Sequence, residues 1–178
     1  ELLAIDDGGS TASAVERAKA LARDPLIKVV IVLGNNASSE DVQQALGDVP
    51  VMIVGNWNSK AVTKNAFMLS NARLQDEFTV GVDAIDIADA DSPIETVIGG
   101  DILALKQFAS VSKHRENVTI ASSATLPDAE FRDKYLASGQ FVPEPGLLAS
   151  ITYDAFGMAL RAMEGRDIPQ ALTTMNYK

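Results

Sequence analysis

Cysteine is absent from this chain, which removes disulfide frameworks and thiolate metal sites and leaves the redox compartment open. Histidine occurs once, at His114, so transition-metal sites and Ser-His or Cys-His nucleophilic pairs lack the material they need. Basic residues are in deficit, with 15 Lys and Arg against 24 Asp and Glu and a formal charge of −9. Duplex binding draws on clustered Lys and Arg, so no nucleic-acid partner is expected. Long apolar runs are missing too. The longest, Val29 to Leu33 and Val49 to Val54, fall far short of the roughly 20 residues of a spanning helix. The glycine pairs Gly8-Gly9 and Gly99-Gly100 fit neither a phosphate-binding Walker loop nor the dinucleotide fingerprint. These absences argue against an enzyme and imply no cofactor and no metal.

What is present reads as a globular chain. It has 178 residues, 47% hydrophobic and 22% charged, enough to bury about 70% of its unfolded surface without cross-links. The sequence opens on Glu1 with no signal-peptide pattern, and because Glu1 to Ile5 already reads as a strand the chain is expected to begin inside a domain.

The N-terminal third alternates in an α/β rhythm. Leu2 to Ile5 reads as a strand that ends in the turn signal Asp6-Asp7-Gly8-Gly9. Ser10 and Thr11 offer N-caps, and Ala14, Val15, Ala18, Leu21 and Ala22 recur at helical spacing up to Asp24-Pro25. Ile27 to Leu33 is a β-branched run of the kind buried on both faces of a parallel sheet. After Gly34-Asn35-Asn36-Ala37, Ser38 or Ser39 caps a short helix that carries Glu40 and Asp41 in its first turn. Val49 to Val54 is the next buried strand, closed by Gly55-Asn56-Trp57-Asn58-Ser59. Such alternation implies a parallel sheet.

Residues 59–95 read as an irregular connection, with a partly alternating extended segment from Phe78 to Ile87. From Thr96 the rhythm returns: Val97-Ile98, then Gly99-Gly100-Asp101, a helix through Leu103 and Val111, and a strand from Asn117 to Ala121. Pro127-Asp128-Ala129-Glu130 opens a helix with acidic residues in its first turn, as the macrodipole favours. Leu147 to Met163 is the longest helix, ending at Gly165. The whole, residues 1–178, is expected to be one α/β lobe: a βαβαβ half over 1–58, the connection over 59–95 and a returning segment over 96–178. The expected architecture is a three-layer Rossmann-like fold, a mainly parallel sheet flanked by helices.

Few residues are placed to do chemistry. Asp6-Asp7 at a strand end has the look of a Mg²⁺ site in a phosphoreceiver, but that reading needs a third Asp at a later strand end. The run Ile27 to Leu33 ends in Gly34-Asn35-Asn36 instead, so these carboxylates are assigned to the turn or a cap. His114, beside Lys113, Arg115 and Glu116, reads as a solvated cation at a helix end. In open α/β sheets ligands sit beyond the carboxyl ends of the strands. Ala37, Ser38 and Ser39 stand there, where hydroxyls and backbone N–H groups at a helix start can seat a carboxylate. Asn56, Trp57 and Asn58 stand in the equivalent loop one strand over, and Trp57, the sole tryptophan, can cover the apolar part of a small ligand. The plainer alternative is that the serines only cap their helix and Trp57 only packs on the surface.

These segments, in order, resemble type I periplasmic binding proteins, and within them the solute receptors of branched-chain amino acid ABC transporters. The resemblance is carried by Leu3 to Ser10 with Ala14 to Ala22, Ile27 to Gly34 with Ala37-Ser38-Ser39, Val49 to Val54, Thr96 to Asp101, Phe131 to Tyr135 and Thr152 to Ala155. It covers roughly two thirds of the chain. It implies an extracytoplasmic location, a small amino-acid-like ligand, an ABC permease or receptor partner, and ligand contacts at Ser38, Ser39 and the 56–58 loop. Asn56-Trp57-Asn58 replace the small residue and Thr that the family usually carries there. The family's first strand and helix would precede Glu1, and 54–96 has no room for a second lobe, so the resemblance implies one lobe with an open sheet edge suited to dimerisation. A sensor domain of a signalling receptor, or an interaction lobe that no longer binds ligand, are the other expectations.

Overall fold

The computed structural model describes residues 1–57, 60–70, 101 and 122–175, and the backbone of 97–99 and 118–120. The expected extended segment at 78–87, the expected helix at 103–111, His114 and Asn58 lie outside the described residues. The chain is mixed α/β. Glu1–Val54, Asn58–Leu69 and Ala155–Lys178 form one compact unit, and Gly55–Trp57 with Ser70–Asp154 form a second.

In the first unit three short parallel strands, β1 (Val30–Val32), β2 (Val51–Val54) and β3 (Ala66–Leu69), pair in the order β1-β2-β3. The register sets Val30 against Val51 and Val51 against Ala66. Strand β2 is central and all four of its residues are buried. At about 1.5–3 kcal/mol for each large apolar side chain removed from water, this four-residue strand is the anchor of the unit. Strand β1 has a neighbour on one side only among the described residues, and the expected two-sided burial is not found there. Only Val32 is buried, while Val30 and Ile31 are half-buried and Leu33 is exposed.

Helix α1 (Thr11–Arg23) starts at the expected place. The Ser10 side chain accepts from the Ser13 N–H, while Asp6 and Asp7 accept from the N–H groups of Gly8 and Gly9 in the preceding turn. Both carboxylates are thereby accounted for as turn acceptors. Helix α1 buries Ala14 and Ala18, four residues apart on one face, and packs on α2 (Glu40–Leu46), which buries Val42, Gln43 and Leu46. Small residues at the first two positions let helix and neighbour approach closely.

The expected strand at the N-terminus is not formed. Residues 1–6 are irregular and exposed, with Leu2 at 70% and Leu3 at 63% of full accessibility. A strand exists only by pairing, and none of the described residues of the first unit pairs with this segment; local β-propensity did not suffice. The opposite miss is β3, which falls in the stretch read as an irregular connection.

In the second unit β4 (Val97–Gly99) and β5 (Val118–Ile120) pair in parallel with Val97 against Val118. Helix α3 (Ala129–Ala137) is capped by Asp128, whose side chain accepts from the Phe131 N–H at 2.8 Å. Phe131 packs edge-on against Tyr153, with centroids 5.6 Å apart, and Arg132 grips Glu144 through two N–H···O contacts. Helix α4 (Ala149–Met163) runs on into the first unit, where Ala155, Ala159 and Ala162 form its buried stripe. Helix α5 (Ile168–Thr174) ends the described chain with Asp167 as its N-cap and Pro169 in its first turn. No helix among the described residues is long and apolar enough to cross a membrane.

Candidate functional site

The loop after β1 folds back on itself. The backbone N–H and the hydroxyl of Ser38 both donate to the Gly34 carbonyl, at 3.1 and 2.7 Å. The Ser39 N–H reaches the Asn36 carbonyl at 3.4 Å, and its own carbonyl accepts from the Gln43 N–H that opens α2. The turn therefore takes up donors that the sequence offers to a carboxylate. Ser39 sits at the N-cap position without capping, and its hydroxyl oxygen is buried with no hydrogen-bond partner. Ala37 lies in the same turn, half-buried. With seven residues, α2 is too short to count as an anion seat of its own.

Behind this loop Gln43 is fully buried on α2. Its amide nitrogen donates to the carbonyls of Ser38 (2.9 Å) and Lys60 (2.8 Å), and its amide oxygen accepts from the Val62 N–H (2.9 Å). One glutamine thus fixes the turn after β1 and the stretch leading to β3.

The second unit holds a different constellation. Asn56 stands two residues beyond β2, Asp101 two beyond β4 and Ser122 two beyond β5. All three lie past the carboxyl ends of parallel strands, where such sheets place ligands. Asp101 is fully buried. One carboxylate oxygen accepts from the Asn56 N–H at 2.7 Å; the other accepts from the Ser122 hydroxyl at 2.5 Å and the Ser123 N–H at 3.3 Å. Ser122 in turn accepts from the Ala124 N–H at 3.1 Å. Among the described residues no Lys, Arg or His pairs with Asp101.

Trp57 is buried and does not pack on the surface. Gly55 explains how it fits. At φ +99° its backbone takes a turn that a side chain rarely adopts, and a Cβ there would meet an Asp101 carboxylate oxygen at 3.2 Å and the Trp57 indole nitrogen at 3.3 Å. Carboxylate, indole and glycine backbone are thus in close mutual approach.

The Asn56 side chain is the exception in this bonded cluster. It is fully buried, yet neither its amide nitrogen nor its amide oxygen has a hydrogen-bond partner. Each buried polar atom left unpaired costs about 1–3 kcal/mol, so two in one side chain mark a position that folding alone does not favour.

Of the expected site residues, Ser38, Ser39 and Ala37 share one turn of the first unit, while Asn56 and Trp57 share one loop of the second. Asp101 and Ser122 were missed. The sequence did carry a signal for Asp101, a carboxylate just after an apolar pair and two glycines, the type of position already weighed at Asp6-Asp7. Among the described residues on exposed helix surface, Lys19 holds the Glu16 carboxyl low, and Glu144 and Glu130 hold Arg132 and Lys134 high. Comparison with protein-family models, with curated proteins and with solved structures finds no match to this chain.

Proposed function

We propose that this chain is a non-catalytic binding domain for a small polar solute, on a Rossmann-like scaffold of the type I periplasmic binding protein kind. In that reading it works outside the cytoplasmic membrane and hands its ligand to an ABC-type permease. The observation that carries the reading is the buried Asn56 carboxamide without a partner, beside a buried carboxylate and a buried tryptophan, past the carboxyl ends of parallel strands. Hydrogen-bonding capacity kept dry and unused fits a ligand that supplies the missing partners.

A second reading, an interaction lobe, is favoured by Leu2, Leu3 and Ile5 in an exposed segment and by β1 with one open side among the described residues.

A thermal-shift screen separates the two. Amino acids, amides, aromatic acids and short carboxylates are titrated, and molecular mass is followed by light scattering. A ligand at about 100 times its dissociation constant stabilises by about 2.7 kcal/mol, a shift of several degrees. A saturable shift supports the solute binder. A stable dimer with no shift across the panel overturns it in favour of the interaction lobe.

A further inference from the structure

We propose that the group recognised at Asn56 is a primary carboxamide or the equivalent edge of a urea, not a carboxylate or an ammonium. The proposal rests on the reading of the chain as a solute binder and adds the chemical class of what it binds.

The argument is one of donors and acceptors. The Asn56 amide offers two N–H donors on one side and an oxygen with two lone pairs on the other, and none is taken. The Asp101 oxygen that accepts the backbone N–H of the same residue has that single bond, while its second oxygen has two. A carboxylate oxygen has room for two acceptances, so one place there remains open. The unmet demand therefore includes at least one acceptor for the Asn56 nitrogen, at least one donor for the Asn56 oxygen and one further donor for Asp101.

Each simple class of ligand meets this demand differently. A carboxylate would accept from the Asn56 nitrogen, but it would leave the Asn56 oxygen facing another oxygen. It would also bring a second negative charge beside Asp101, which no described cation neutralises. An ammonium would donate to the Asn56 oxygen and to Asp101, but it would set a cation against the Asn56 N–H groups. A primary carboxamide carries C=O and N–H on one edge, and these pair with both Asn56 atoms at once. Its second N–H is a donor of the kind that the open place on Asp101 takes. The group is neutral, so no uncompensated charge is buried with it.

Location agrees with this class. Asn56 and Ser122 both stand in loops outside strands, so admitting a ligand asks for loop motion without breaking the sheet. The edge of the Trp57 indole approaches the Gly55 backbone, as does an Asp101 carboxylate oxygen, so the aromatic side chain borders the same loop.

The test uses matched probes on the whole chain: propionamide, N,N-dimethylpropionamide, propionate and propylammonium, read by isothermal titration and by Tm. Propionamide is expected to bind saturably, and the dimethylated amide, which has no N–H, at least about tenfold more weakly, the value of roughly one hydrogen bond. Asn56→Leu is expected to lose the propionamide response. The dimethyl comparison is made on the unaltered protein, so it stands even where Asn56→Leu fails to fold. Equal binding of the two amides, or propionate or propylammonium binding more tightly than propionamide, overturns the amide proposal and leaves the solute binder in place. Silence of these probes together with the amino acids and aromatic acids overturns both.

Discussion

Replacing Gln43 by methionine removes three hydrogen bonds at almost constant volume. The side chain is fully buried and bridges the Ser38 carbonyl, the Lys60 carbonyl and the Val62 N–H at 2.8–2.9 Å. At about 1 kcal/mol net for each bond, the loss begins near 3 kcal/mol. The Ser38 carbonyl belongs to a buried residue and gains no water in exchange, which adds to the cost. Lys60 and Val62 are exposed, so water takes up part of what their backbone groups lose. The expected destabilisation is about 2–4 kcal/mol, or roughly 5–12 °C in Tm for a chain of this length. Urea denaturation followed by circular dichroism measures it. Gln43→Glu, of the same size, is expected to cost at least as much at neutral pH, because a carboxylate would face two carbonyls. Gln44→Met is the control, since the Gln44 side chain bonds Glu40 on an exposed face, and it should change stability by less than about 0.5 kcal/mol. If Gln43→Met also fell within about 0.5 kcal/mol of the parent protein, the bracket would not be holding the two loops and the reasoning would fail.

Three further outcomes follow from the same geometry. Ser10→Ala removes a working N-cap and should cost about 0.5–2 kcal/mol, whereas Ser39→Ala deletes a buried hydroxyl oxygen that has no partner and should be neutral or stabilising in the same urea experiment. Gly55→Ala forces a side chain onto φ +99° and against Asp101; a loss of about 1–3 kcal/mol is expected, and a melting point equal to the parent's would refute the close approach. The Lys19 hydrogen bond and charge hold Glu16 below its ordinary value of 4.5, so the pair favours the folded state above that pH and its contribution fades as pH falls through the folded midpoint. An NMR titration should place Glu16 below 4.5, and Lys19→Met should return it toward the ordinary value.

Local signals in the sequence determined the start of α1 at Ser10, of α3 at Asp128 and the place of β2. Caps satisfy backbone N–H groups within three residues, so neighbours in the chain suffice to specify them, and an apolar run marks where a strand lies; how deeply it is buried is another matter, since β2 is buried throughout and β1 only at Val32. The loop after β2 was legible only as a candidate, because open α/β sheets place ligands beyond the carboxyl ends of their strands. Tertiary structure decided the rest. Leu2 to Ile5 has the composition of a strand but pairs with none of the described residues, while Ala66–Leu69 becomes one because β2 offers a side to it. Pairing joins residues far apart in the chain, and propensity does not record it. Sequence separation likewise stands between Asn56 and Asp101, 45 residues apart, and between Gln43 and its partners Lys60 and Val62, 17 and 19 residues away. Which polar side chains end in a dry interior with every bond made, and which, like Asn56, are left without one, depends on groups that only folding brings together.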